Sequence, residues 1–351
     1  MQNERYYYTR MSKVEKDVYR VIYHGLKALS RCIELNSSLP QPVIQDVYFK
    51  VLYDTPLFYF VNQRKLNIAC SGGKCMVLPE YFYSGKEIEA LNCDIRRIVD
   101  KVVSRTGRFR SNSFRIEKYL HDTVVKSVAY DYESLKKSDS YNAHSIVGAF
   151  IDNKAVCEGI AKAFKLLCNE VLIKCIVVLG KADQKGIFNE ESYHAWNLVK
   201  IGDESYHVDP TWDNLFDRKV EHISYDYFNV KTEDILKDHR PFGSLPFCDS
   251  TQLNYFYSTK SIVSTYPELI DLITERFNAK SIMFKTTTEN GEFYSPDELQ
   301  KKAISAASLV MLKSLHPKRF AFLLNPSQMT GQIVFADQDS STISHFGKIQ
   351  V

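Results

Sequence analysis

Apolar side chains recur at helical spacing across residues 12–36, at Val14, Val18, Ile22, Leu26, Leu29 and Ile33, which predicts an amphipathic helix. The loop Ser37-Ser38-Leu39-Pro40-Gln41-Pro42 stops it. A second helix is expected over 43–54. Residues 66–80 read as a hairpin turning at Ser71-Gly72-Gly73-Lys74. Helical spacing returns over 85–104, and again over 114–129 with Ile116, Leu120 and Val124 on one face. The next helix covers 157–171, with Ile160, Phe164, Leu167 and Val171 facing inward. Three strands follow at 173–179, 194–201 and 205–210, the last two joined at Gly202-Asp203. Beyond about 250 a separate region is expected: helix 267–278, strand 281–287, a helix opened by Ser295-Pro296-Asp297-Glu298 and running to about 315, and strands 319–324 and 332–337.

A chain of 351 residues exceeds what one small core needs, so several domains are expected: a mainly helical region 1–110, a central core 111–245 and a C-terminal α+β domain 250–351. Hydrophobic residues at 44% and charged residues at 25% give an ordinary globular balance, and a net charge of +3 calls for neither a nucleic-acid nor a membrane partner. The chain has no run long and apolar enough for a membrane span, and Met-Gln-Asn-Glu-Arg-Tyr-Tyr-Tyr lacks the apolar stretch of a signal peptide. The eight cysteines are sparse for a secreted disulfide scaffold; most are expected to be buried, reduced thiols in a cytoplasmic protein. Cys70 and Cys75 lack a second pair for a metal site and read as neighbours across the hairpin. Arg105, Arg108, Arg110 and Arg115 read as a solvated face, and His121-Asp122 as a structural pair on a helix.

Cys157 stands where loop becomes helix, in Val156-Cys157-Glu158-Gly159-Ile160. A sulfur there meets the positive end of the helix dipole and unpaired N–H groups, which stabilise negative charge on a thiolate or on an oxyanion formed beside it. Gly159 is expected to clear space for an approaching substrate backbone. His194 opens the strand His194-Ala195-Trp196-Asn197, and Asp209 lies in Tyr206-His207-Val208-Asp209-Pro210-Thr211-Trp212-Asp213. If Gly202-Asp203 is a two-residue turn, Ile201 pairs with Glu204, His194 opposes Thr211, and Asp209 opposes Trp196. The His194 and Asp209 side chains then share one face as diagonal neighbours. The carboxylate fixes one imidazole nitrogen and leaves the other for the thiol.

Val-Cys-Glu-Gly, His-Ala-Trp-Asn and Tyr-His-Val-Asp-Pro-Thr-Trp-Asp, in that order, resemble the bacterial transglutaminase-like superfamily. The resemblance extends more weakly through His121-Asp122…Tyr130-Asp131 and Tyr53-Asp54-Thr55-Pro56, covering roughly residues 45–230. It implies an α+β, papain-like core, with a helix carrying Cys157 packed on an antiparallel sheet carrying His194 and Asp209. It implies thiol-dependent acyl transfer on a peptide or protein amide with no metal or organic cofactor. Hydrolysis is favoured because nothing in the sequence suggests a second substrate groove; protein cross-linking through an amine acceptor and a non-catalytic binding module are the alternatives. The terminal regions are expected to recognise a protein partner or cover the site. Gly159-Ile160 and Tyr193 depart from the Gly-Tyr and pre-His Gly of close relatives, which would alter the groove and leave the triad intact. A second oxyanion donor has no place in the motifs; His144 and Trp196 are weak candidates.

Overall fold

The computed structural model describes residues 5–37, 39–136, 140–183, 187–189, 192–214, 223–287, 292–314 and 318–336. Ser38 of the expected loop, residue 315 and residue 337 lie outside them. The architecture is α+β. Contacts divide the chain into two compact units: Met1–Gly180 with His194–Thr211, and Lys181–Tyr193 with Trp212–Val351. No helix among the described residues is long and apolar enough to cross a membrane.

The first unit opens with α1 (Tyr6–Arg10) and α2 (Lys13–Lys27), the latter closed by a Ser12–Glu15 capping box. The helix expected to reach residue 36 ends earlier. Leu29 takes a left-handed φ of 55°, and Ile33–Asn36 forms strand β1 instead. Ile33 folds back onto Gly25 of α2, where a Cβ would lie 2.6 Å from its side chain. Helix α3 (Gln41–Asp54) follows, then β2 (Val61–Ser71) and β3 (Lys74–Tyr81), giving a sheet of order β1-β3-β2. Gly72 and Gly73, both at positive φ, make the tight turn that right-handed strand twist prefers. Cys70 and Cys75 face each other in this ladder and are joined as a disulfide. The expectation that most of the eight cysteines are buried, reduced thiols does not hold: only Cys168, Cys175 and Cys248 are, while Cys157 is half-buried, Cys32 and Cys93 are exposed and two are joined in the disulfide.

Helices α4 (Gly85–Ser104) and α5 (Ser113–Ser127) match their apolar spacing, and Arg105, Arg108, Arg110 and Arg115 are all exposed. His121 on α5 is buried, with Nδ1 at 3.4 Å from Asp122. Two short parallel strands, β4 (Ala129–Tyr130) and β5 (Lys154–Ala155), flank the buried α6 (Ile146–Phe150). Helix α7 (Cys157–Glu170) is the centre of the unit, with α5 and α6 packed against it. Strands β6 (Lys174–Ala182), β7 (Tyr193–Ile201) and β8 (Glu204–Val208) lie in the order β8-β7-β6. Ala161 of α7 packs on Val177 and Ala195, seating the helix on this sheet.

The second unit contains α8 (Thr232–Ile235), β9 (His239–Pro241), α9 (Tyr255–Ser258), β10 (Ile262–Val263), α10 (Tyr266–Glu275), β11 (Ser281–Thr286), α11 (Pro296–Lys313), β12 (Arg319–Asn325) and β13 (Thr330–Ala336). Strands β10-β11-β13-β12 form one sheet, and Leu269, Ile273, Phe284, Leu299, Ala303 and Ile333 meet in a core between it and the two long helices.

Candidate active site

Cys157 is the first residue of α7 and is half-buried. The residue before it, Val156, has no side chain that could cap the helix, so no side-chain acceptor is spent on the first N–H groups. The sulfur therefore sits at the positive end of a 14-residue helix. Gly159 does a different job from the one expected of it. A Cβ there would lie 2.4 Å from the carbonyl oxygen of Ala143 and 2.9 Å from that of Ser145, so the glycine admits the chain's own backbone rather than a substrate's.

Strands β7 and β8 place the other two residues. Ile201 pairs with Glu204 and Asn197 with Val208, the register expected from a two-residue turn with Gly202 at positive φ. Asp209 stands one residue past the last pair, and its Oδ2 lies 2.6 Å from Nε2 of His194, three residues before Asn197. Asp209 is fully buried, and its other oxygen accepts the backbone N–H of Thr211 at 2.9 Å. His194 is 8% exposed, and its ring lies nearly parallel to that of Trp196 at 6.1 Å between centroids. Burial alone would push the His194 pKa down. The Asp209 charge and hydrogen bond, with a further hydrogen bond to Cys157, more than offset this and raise it to about 10. With Nε2 committed to Asp209, Nδ1 is the ring nitrogen that can serve the sulfur.

Asn197 locks the helix onto the sheet. It is fully buried, and its amide donates to the carbonyls of Ala161 on α7 and Ile176 on β6, at 3.0 and 3.1 Å. Sequence reading had singled out neither this residue nor Glu158. The Glu158 carboxylate accepts Lys162 Nζ at 2.7 Å and meets His144 Nδ1 at 3.1 Å, while His144 Nε2 lies 2.9 Å from Arg64. Burial would raise the Glu158 pKa, but Lys162 and His144 hold it at about 2. These groups come from three distant segments, and only the Glu-x-x-x-Lys spacing of Glu158 and Lys162 shows in the sequence. The two weak oxyanion candidates are also accounted for: the Trp196 indole donates to His207 Nδ1 at 3.1 Å, and both ring nitrogens of His144 are engaged.

Residues 100–210 match the sequence model of the transglutaminase-like superfamily. This stretch is similar to a transglutaminase-like core. It contains the whole of α7 and ends just past Asp209, so all three residues singled out above fall within it. Among solved structures, a crystal structure of a TGase is similar at 14% identity and a TM-score of 0.31, covering 53% of this chain and 52% of that one. A candidate cysteine protease from Cytophaga hutchinsonii is similar at 15% identity and a TM-score of 0.26, covering 42% of this chain and 61% of that one. The chain thus spans about half the length of the first and under two-thirds of the second, and both likenesses are too distant to bear on its chemistry. No curated protein sequence matches the chain.

Proposed function

We propose that the transglutaminase-like core is a thiol enzyme that transfers acyl groups from peptide or protein amides, with Cys157 as nucleophile, His194 as its proton partner and Asp209 as the carboxylate that orients His194. The observation that carries this reading is the 2.6 Å bond from His194 Nε2 to buried Asp209, next to a sulfur at an uncapped helix N-terminus. The Cys157 thiolate attacks the amide carbon, and the carbonyl π electrons move onto oxygen beside the N–H groups of α7. The C–N bond then breaks. His194 gives its proton to the departing amine, and a thioester remains. Water attacks the thioester, returns a proton to His194 and releases the acid as the C–S bond breaks. Hydrolysis needs only these groups, whereas transamidation needs a docking site for a lysine side chain as well. Residues 1–110 and 250–351 are proposed to recognise the protein substrate or a partner.

The test is incubation of wild type and Cys157→Ala with fluorescently labelled casein, with and without monodansylcadaverine. Peptide release by wild type alone supports the hydrolase. Dansyl incorporation without peptide release replaces it with a cross-linking enzyme. Activity that survives in Cys157→Ala contradicts the thiol mechanism itself.

A further inference from the structure

Ile88, Ile95 and Val99 recur at helical spacing along one face of α4, and all three are buried. Helix α4 packs on α6 and α7, and α2 packs on α3 and β1, but α2 and α4 do not pack closely on each other. A cavity of about 980 Å³ lies between them. Its lining is mainly apolar: the three α4 residues are joined by Phe58 and Phe60, just before β2, and by Leu166 of α7. Leu166 stands about 13 Å further along α7 than Cys157. None of Cys157, His194 and Asp209 lines the cavity, so it is separate from the candidate active site.

The charged groups of the lining are not balanced. Arg96 takes both of its carboxylates, Asp100 at 2.9 Å and Glu170 at 3.1 Å, and Arg97, also on the lining, pairs with Asp94. Lys27, the last residue of α2, lines the cavity with no ion-pair partner among the described residues. A further cation lies close by, the Arg5 guanidinium, 4.2 Å from the ring centre of Tyr23 on the same lining. Every lining carboxylate is matched, and the charge that remains open is positive. An apolar cavity with one open cation suits a ligand with a long apolar body and a single anionic head. The volume also argues for a slender ligand: a partner helix about 10 Å across would use it up in little more than two turns.

We propose that this cavity binds one molecule of a long-chain carboxylate, a fatty acid, with its chain along the apolar lining and its head on Lys27. The site is independent of the acyl-transfer chemistry. Cys93 gives it a built-in reporter, since this exposed thiol lines the cavity. Cys32 is equally exposed and does not line it, which makes it the internal control.

The test titrates cis-parinaric acid, a fluorescent fatty acid, into wild type, Lys27→Ala, Cys93→Ser and wild type alkylated with N-phenylmaleimide, and competes it with octanoate, decanoate, dodecanoate and dodecylamine. Lys27 and Cys93 are both exposed, so neither substitution disturbs the core. The proposal predicts one saturable site per chain, with competition tightening about 4-fold for each added methylene and dodecanoate outcompeting dodecylamine. Lys27→Ala weakens binding about 3-fold. Bound ligand slows the labelling of Cys93 and leaves that of Cys32 unchanged. Alkylation abolishes binding in wild type, while Cys93→Ser binds normally before and after the reagent. The absence of a saturable site overturns the proposal. So does binding that leaves Cys93 labelling unchanged or survives its alkylation, which would put the ligand elsewhere. Equal affinity in Lys27→Ala and wild type, or dodecylamine competing as well as dodecanoate, overturns the carboxylate assignment and the proposal with it.

Discussion

Asp209→Asn changes one atom at the point on which the site turns. Both carboxylate oxygens face donors: Oδ1 takes the Thr211 N–H and Oδ2 faces His194 Nε2. An asparagine has one acceptor, so it must either leave a buried N–H unpaired or present its NH₂ to His194. The second choice forces the imidazole proton onto Nδ1, the nitrogen needed to accept the proton of the thiol. Raising an imidazole from 6.5 to about 10 favours its charged form by about 5 kcal/mol. Without the Asp209 charge and hydrogen bond, burial, the largest influence and one that lowers the value, is opposed only by the weaker pull of Cys157. We predict that His194 titrates near 10 in wild type and below 6.5 in Asp209→Asn, read from its Cε1–H resonance by NMR, with His194→Ala providing the assignment. The stability difference between the two proteins should be largest below pH 6.5 and shrink as pH rises toward 10, because a raised histidine stabilises only while it is protonated. A wild-type His194 that titrates between 6 and 7, unmoved by the substitution, would refute the reasoning.

Three further predictions come from groups around the site. Gly159→Ala brings a Cβ to 2.4 Å from the Ala143 carbonyl, so we predict a loss of about 1–3 kcal/mol in urea unfolding; an unchanged midpoint would mean that the backbone at 143–145 yields freely. Glu158→Gln leaves the buried Lys162 ammonium without its carboxylate and should cost about 3–5 kcal/mol. Because the Glu158 pKa is held down at about 2, its contribution is present above 4.5 and lost as pH falls from 4.5 toward 2, so thermal melts of wild type and variant should converge in that window and nowhere else. Ellman titration of the denatured, unreduced chain should find six thiols, rising to eight after reduction; eight at the outset would contradict the Cys70–Cys75 bond.

The core of the site was legible because local rules happened to govern it. Cys157 stands at a helix start that apolar spacing alone locates, and the Gly202-Asp203 turn sets a register that carries His194 and Asp209 to the same place. The misses share another cause. Leu29 and Ile33 keep the helical spacing of α2, yet a left-handed turn at Leu29 and a partner strand 40 residues away in β3 make residues 33–36 a strand. Gly159 was read for substrate access, but the backbone that comes close belongs to residues 143–145 and is unknown until the chain is folded. Short-range patterns give elements and turns; contacts between distant short segments have no local signature.

The central claim is that Cys157 and His194 form a thiolate–imidazolium pair, and iodoacetamide labelling from pH 4 to 9 with peptide mapping tests it most directly in wild type and His194→Ala. The pair predicts that Cys157 reacts faster at pH 6 than any of the other free thiols, and that this advantage disappears in His194→Ala. If Cys157 reacts no faster than exposed Cys32 and Cys93, or keeps its rate without His194, the site is not assembled for thiol chemistry and the proposed function fails.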